Sequence, residues 1–145
     1  MTAKDYLSQY TTAGGEIEAL IDELQRIRSL AEKTTMSFDS DGGAAGTRNT
    51  EKLPEAVEKI MEIEEEIGKR VVSLAFLRID IYNTICKVED SKSRVLLMKR
   101  YICGESFERI ATEMGYTYNH IVKNIHPAAL AEVDEIIGKK EKQSI

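Results

Sequence analysis

The chain is 145 residues long, with 31% charged and 42% hydrophobic residues, no Trp, 2 Pro and a formal charge of −5. That length holds one ordinary domain, or a small domain with an extended accessory element. The negative balance excludes a globally basic nucleic-acid binder while leaving room for a local basic patch. Runs rich in Glu, Lys, Ile, Leu and Ala favour long, exposed helices. No stretch approaches 18 consecutive apolar residues, and MTAKDYLSQY lacks the apolar core of a secretory signal, so a cytoplasmic protein without a membrane span is expected. Cys86 and Cys103 form no C-x-x-C pair, and each sits among apolar neighbours as an expected small buried hydrophobe.

The first segment repeats apolar residues at four- and three-residue spacing: Tyr6, Tyr10, Ala13, Ile17, Leu20, Leu24, Ile27 and Ala31. This is a heptad seam with charges beside it, and it stays in phase across Gly14 and Gly15, so one helix is predicted, loosened or kinked there. The stretch TTMSFDSDGGAAGTRNT, Thr34 to Thr50, reads as a mobile loop, about 35–49. Asp39 and Asp41 do not open a calcium loop, because Gly43, Ala44 and Thr50 stand where a ligand, a Gly and a bidentate Glu are needed. The glycines also lack the spacing of a phosphate cradle.

A second long helix is predicted from Asn49 or Thr50, with Pro54 in its first turn. Its apolar positions are Leu53, Val57, Ile60, Ile63, Ile67, Val71, Leu74, Leu77, Ile81, Ile85 and Val88, ten steps over 35 residues and so 3.5 on average. Glu58, Glu62, Glu65, Glu66, Lys69 and Arg70 read as its solvated face. Two seams joined by a loop predict an antiparallel, coiled-coil-like hairpin over 1–89 that buries its seams against each other, a second copy, or both.

Asp90-Ser91 can cap a shorter helix that Cys103-Gly104-Glu105 ends. In SFERIATEMGYTYNHIV, Ser106 to Val122, Ser106 is a plausible N-cap, and Phe107, Ile110, Ala111 and Met114 form one apolar face. Gly115 supplies a turn and Thr117 a second cap, while Tyr116 and Ile121 have the spacing of a hydrophobic staple. A small Ala111, Gly four residues later and Ile six after that give helix-turn-helix spacing, in which the second helix presents its first turns to the major groove. The fold class expected is all-α: a long hairpin, then a helix-turn-helix bundle over 90–138 and a polar tail over 139–145.

At these residues a resemblance appears. SRVLLMKRYICGESFERIATEMGYTYNHIV, followed by IHPAAL, resembles the C-terminal promoter-reading region of sigma factors, and more closely the phage-encoded regulators of the RinA and ArpU type in phages of Gram-positive bacteria. MTAKDYLSQY, GTRNT and the terminal motif occur in the order found there, so the resemblance covers most of the chain, by pattern alone in the hairpin half. It implies a sigma-like helix-turn-helix that binds promoter DNA in the host cytoplasm. The stretch from Gly115 to Ile125-His126 is one residue longer than that pattern, and Pro127 replaces a basic or long polar residue. The register of the reading helix stays open there, with Pro127 expected to end that helix and start another.

Between Lys92 and His126 six basic residues face three acidic ones, a balance of +3 that leaves −8 for the remainder. If the reading helix begins at Thr117, Tyr118, Asn119, His120, Lys123 and Asn124 are the base-reading candidates, while Lys99, Arg100, Arg109 and Thr117 are candidates for phosphate. His120 and His126 lie six apart rather than four, and no Cys or acid completes a metal site. No catalytic constellation stands out, so neither an enzyme nor a cofactor or small-molecule substrate is predicted. The function expected is a phage or prophage transcriptional regulator that binds double-stranded DNA. Its hairpin would mediate homo-oligomerisation or contact RNA polymerase. Two alternatives stay open: a DNA-packaging adaptor of the small-terminase kind, and a purely protein-binding helical module.

Overall fold

The computed structural model describes the backbone of residues 1–41 and 45–143, and their side chains outside 35–52. The described residues form helices and their connections, with no strand. Helix α1 spans Ala3–Asp41 and α2 spans Ala45–Cys86; α3, Ser91–Leu97, runs into a π-helical turn, Met98–Ile102. Helix α4 is Phe107–Met114, α5 is Tyr118–His120, and a second π-helical turn, Ile121–Ile125, leads into α6, His126–Gln143. The fold is all-α and includes the expected helical hairpin.

The chain forms two compact units, Gly14–Ser73 and Met1–Ala13 together with the chain from Leu74 onward. In the first, α1 and α2 run antiparallel: Glu16 meets Arg70 at 2.8 Å, and Arg28 meets Glu64. Ile17, Leu24 and Ile63 are its buried residues, flanked by half-buried Leu20, Ile27, Ile60 and Ile67. Along α2 the inward positions alternate three and four apart, through Leu53, Ala56, Ile60, Ile63, Ile67 and Arg70. Val57 and Val71, expected in the seam, are each 47% exposed. Each lies one residue past a seam position, a rotation of about 100° on a helix of 3.6 residues per turn. Arg70, expected in the solvated face, is half-buried and reaches Glu16 and Glu66.

Further expectations are corrected. The predicted loop is helical up to Asp41 and again from Ala45, which leaves Gly42, Gly43 and Ala44 outside the described residues. Ser, Thr and Asp are weak helix formers rather than breakers, and a long helix already nucleated propagates through them. Pro54 consequently falls inside α2 rather than in its first turn. Cys86 and Cys103 are both free and exposed, each on the outer side of a helix end. Helix α1 passes through Gly14 and Gly15 without a break, and α6 continues past Gly138 to Gln143.

In the second unit, Ala3 and Leu7 of α1, Ile81, Ile85 and Val88 at the end of α2, Leu97 and Tyr101, and Ala129 and Val133 of α6 bury one another. The chain beyond Asp90 therefore shares a core with residues from both long helices. Polar groups tie the same elements. Asp134 of α6 accepts the backbone N–H of Ala3 at 2.8 Å and so caps α1. The Tyr6 hydroxyl donates to Asp80, whose other oxygen meets the Lys140 ammonium at 3.0 Å. Burial, then the hydrogen bond to Asp80, pushes the Tyr6 phenol up to about 12.

Asp90 caps α3 through Ser93, accepting from its N–H at 3.0 Å and its hydroxyl at 2.8 Å. Gly104, at φ +70, closes the π-helical turn. Ser106 caps α4 by accepting the N–H of Arg109, and Gly115, at φ +76, ends it. The N–H groups of Gly115 and Tyr116 both donate to the carbonyl of Ala111, so one acceptor closes the helix end around a left-handed Gly. Leu96, Ile110, Ala111, Ile121 and Ile125 form a second core, with Phe107, Met114, Tyr116 and Val122 packed on it. The backbone stays right-handed helical from Tyr118 to Gln143, so Pro127 sits one residue into α6 and does not begin a separate segment. In a regular helix the Pro127 ring would press on the carbonyl of Lys123, and the wider turn just before it relieves that clash. A π-helical turn holds one residue more than an α-helical one.

His126 lies where the two cores meet. Its Nε2 is 2.7 Å from the buried Tyr101 hydroxyl, and the Phe107 ring meets its ring edge-on at 4.9 Å. Burial first, then the charges of Lys4 and Arg100, lowers its pKa below the ordinary 6.5. The unfolded chain then takes up the proton first. The stabilisation is complete above the ordinary value and is lost as pH falls from there toward the folded-state value.

Two outcomes check this account. Gly115→Ala is expected to destabilise the chain by about 1–2 kcal/mol in urea titrations, from backbone strain alone, because a Cβ there meets no atom within 4 Å. Gly14→Ala, at a helical position equally open, is expected to stabilise by about 0.5–1 kcal/mol. On acidification below the ordinary histidine pKa, wild type should lose melting temperature faster than His126→Gln, which keeps a hydrogen-bonding group for Tyr101 but does not titrate.

Candidate nucleic-acid interface

The bend at Gly115 decides what the following helix shows. Thr117 is extended at φ −74, ψ 153, and its hydroxyl oxygen accepts the N–H of His120 at 3.1 Å. Tyr116 and Ile121 both join the second core, as a staple requires, so Ile121 and Ile125 point inward. Tyr118, 46% exposed, and Asn119, His120, Lys123 and Asn124 are all exposed. The five base-reading candidates thus fall together on one exposed stretch.

These side chains are partly ordered. Asn124 Nδ2 lies 2.9 Å from His120 Nδ1, and the His120 ring packs 5.3 Å from that of Tyr116. The Lys92 ammonium sits 5.6 Å from the centre of the Tyr116 ring on another side. Lys123 makes no ion pair among the described residues.

The phosphate candidates differ. Glu113 of α4 accepts from Lys99 with one carboxylate oxygen and from Arg109 Nε, at 2.9 Å, with the other. Lys99 is also 3.9 Å from Glu105, whose Oε2 is buried without a hydrogen bond. Arg100, a half-buried residue, stacks over the Phe107 ring at 4.2 Å and donates to the carbonyl of Glu105 at 3.1 Å. Thr117 is exposed, and its hydroxyl hydrogen is left for an outside acceptor. Of these four, only Arg109 and Thr117 project well into solvent, and Arg109 does so while paired.

The hydrogen bonds from Lys99 and then Arg109 hold the Glu113 carboxyl at about 2. Sequence reasoning passed over Glu113 as a local cation partner. The Arg109–Glu113 spacing of four is legible on a helix, but the approach of Lys99 across the fold is not. Lys92 against Tyr116 was likewise hidden, being a contact between separate helices.

Among the described residues no group of His, Cys, Asp and Glu is arranged to hold a metal ion, and no helix is long and apolar enough to cross a membrane. No protein-family model, curated protein or solved structure matches this chain.

The ion-pair cluster has a direct test. An NMR titration of the side-chain carboxyls is expected to find Glu113 with a midpoint near 2. Lys99→Met or Arg109→Met should move it up toward the ordinary 4.5. A depressed carboxylate contributes stability that is complete above the ordinary value and is lost as pH falls toward the lowered one.

Proposed function

We propose that this chain is a phage or prophage transcriptional regulator that binds promoter DNA through α4, the Gly115 turn and the helix that begins at Tyr118. The observation that carries the reading is the exposed face of Tyr118, Asn119, His120, Lys123 and Asn124, held on a turn whose inner side is fully packed. Asn and Lys are side chains that pair with base edges, and the unpaired Lys123 has no internal carboxylate to displace. The sigma-like resemblance of Ser93–Val122 supports the same reading and is the ground for placing the protein in a phage or prophage. No part of the reading calls for an enzyme, a cofactor or a small-molecule substrate.

Two features set how strongly such a surface binds. The chain is acidic outside this segment, and the single carboxylate of Glu113 engages two of the nearby cations. A single copy therefore engages few phosphates, and useful affinity comes from several copies or from RNA polymerase already seated on the promoter. The hairpin supplies that oligomerisation or polymerase contact in this reading. Phe76, Ile79 and Tyr82 of α2, each at least half exposed, support a role for it in protein association.

Fluorescence anisotropy with duplexes spanning the promoter regions of the source genome tests the proposal. Expected is salt-sensitive binding to some fragments over others, weakened about tenfold or more by Lys123→Glu. Glu113→Gln is expected to strengthen binding and steepen its salt dependence, by releasing Lys99 and Arg109 to phosphate. Absence of binding at low salt, or equal binding to every fragment, overturns it.

A further inference from the structure

We infer that Asn124 locks His120 in the tautomer carrying its proton on Nε2, so that His120 and Lys123 present a pair of donors selective for guanine in the major groove. The inference rests on the DNA-binding reading and adds to it the base that is read. Asn124 Nδ2 lies 2.9 Å from His120 Nδ1. An amide nitrogen has hydrogens to give and no lone pair to accept with, so it donates, and Nδ1 accepts. A neutral imidazole that accepts at Nδ1 carries its single proton on Nε2.

Nε2 is the ring nitrogen farther from the backbone, on an exposed side chain, and it has no partner among the described residues. The ring is also held in place. Tyr116 packs against it with the two planes tilted by 48°, and Tyr116 is itself anchored on the second core. The wide turn Ile121–Ile125 carries Asn124 and Lys123, so the same backbone feature that accommodates Pro127 positions both the lock and the second donor.

Lys123 lies three residues beyond His120, exposed and unpaired, and offers donors only. No Asp or Glu occurs from Tyr118 to Ile125, so this stretch offers no carboxylate to accept from cytosine. Guanine alone shows two acceptors, N7 and O6, side by side in the major groove. Adenine sets a donor beside its N7, and cytosine offers a donor. Thymine offers one acceptor, O4, beside a methyl group. Two protein donors therefore both find partners on guanine, meet a donor at adenine and cytosine, and find only one acceptor at thymine.

Two measurements on the full-length protein test this. Long-range proton–nitrogen NMR spectra above neutral pH are expected to place the His120 proton on Nε2, and to show a mixture of tautomers in Asn124→Ala. A proton on Nδ1 in the wild type overturns the inference. Selection from a random duplex pool is expected to enrich a guanine. Replacing it with 7-deazaguanine, which lacks N7, or with 2-aminopurine, which lacks O6, should weaken binding about tenfold in at least one case. His120→Phe keeps a flat ring against Tyr116 without a donor, and should fold and bind with that guanine preference lost. Duplex bound with no guanine enriched, or with neither analogue weakening it, overturns the inference and leaves the DNA-binding reading standing. If the wild type binds no duplex even at low salt, both fall together.

Discussion

The carbonyl oxygen of Ala111 accepts two backbone N–H groups, from Gly115 and Tyr116, and this pair of bonds fixes the turn between α4 and α5. Only a residue at ease with positive φ can stand between them, which is why Gly occupies position 115. The consequences run outward from there. Tyr116 is delivered into the core beside Ile121, Thr117 is left extended to cap the next helix, and the small side chain of Ala111 lets that helix pack close. The inner face is then fully committed to packing, and polar residues necessarily take the outer one.

A second constraint acts at the junction of the two cores. His126 touches Tyr101 and Phe107 and begins α6, whose Asp134 caps the start of α1. A buried, uncharged imidazole thus stands between the helices that form the candidate interface and those that anchor it. Pro127 directly after it would strain a regular helix, and the π-helical turn of Ile121–Ile125 is the local solution. The extra residue in that turn rotates the following side chains, so the faces of α5 and α6 do not follow from one continuous helical wheel.

The electrostatics divide by residue rather than by segment. The balance of +3 between Lys92 and His126 overstates the charge available to an outside anion, because Glu113 engages Lys99 and Arg109, and Arg100 is spent on Phe107 and a backbone carbonyl. Lys123 makes no ion pair among the described residues, and no Asp or Glu occurs in the stretch from Tyr118 to Ile125 that carries it. Three of the four phosphate candidates, Lys99, Arg100 and Arg109, are thus cations already partnered within the fold.

The helical class, both long helices, the caps at Asp90, Ser106 and Thr117, and the left-handed glycines 104 and 115 were legible in the sequence, because each depends on residues within one or two turns of one another. So was the exposed set from Tyr118 to Asn124, since Ile121 and Ile125 declare the opposite face. The rest was decided by tertiary structure. Val57 against Ala56 in the seam, the exposure of Cys86 and Cys103, and the hold of Glu113 on Lys99 depend on which surface a distant segment covers. Local pattern records the period of a helix but not the rotation at which its partner meets it, and that rotation is set only when the separate segments pack.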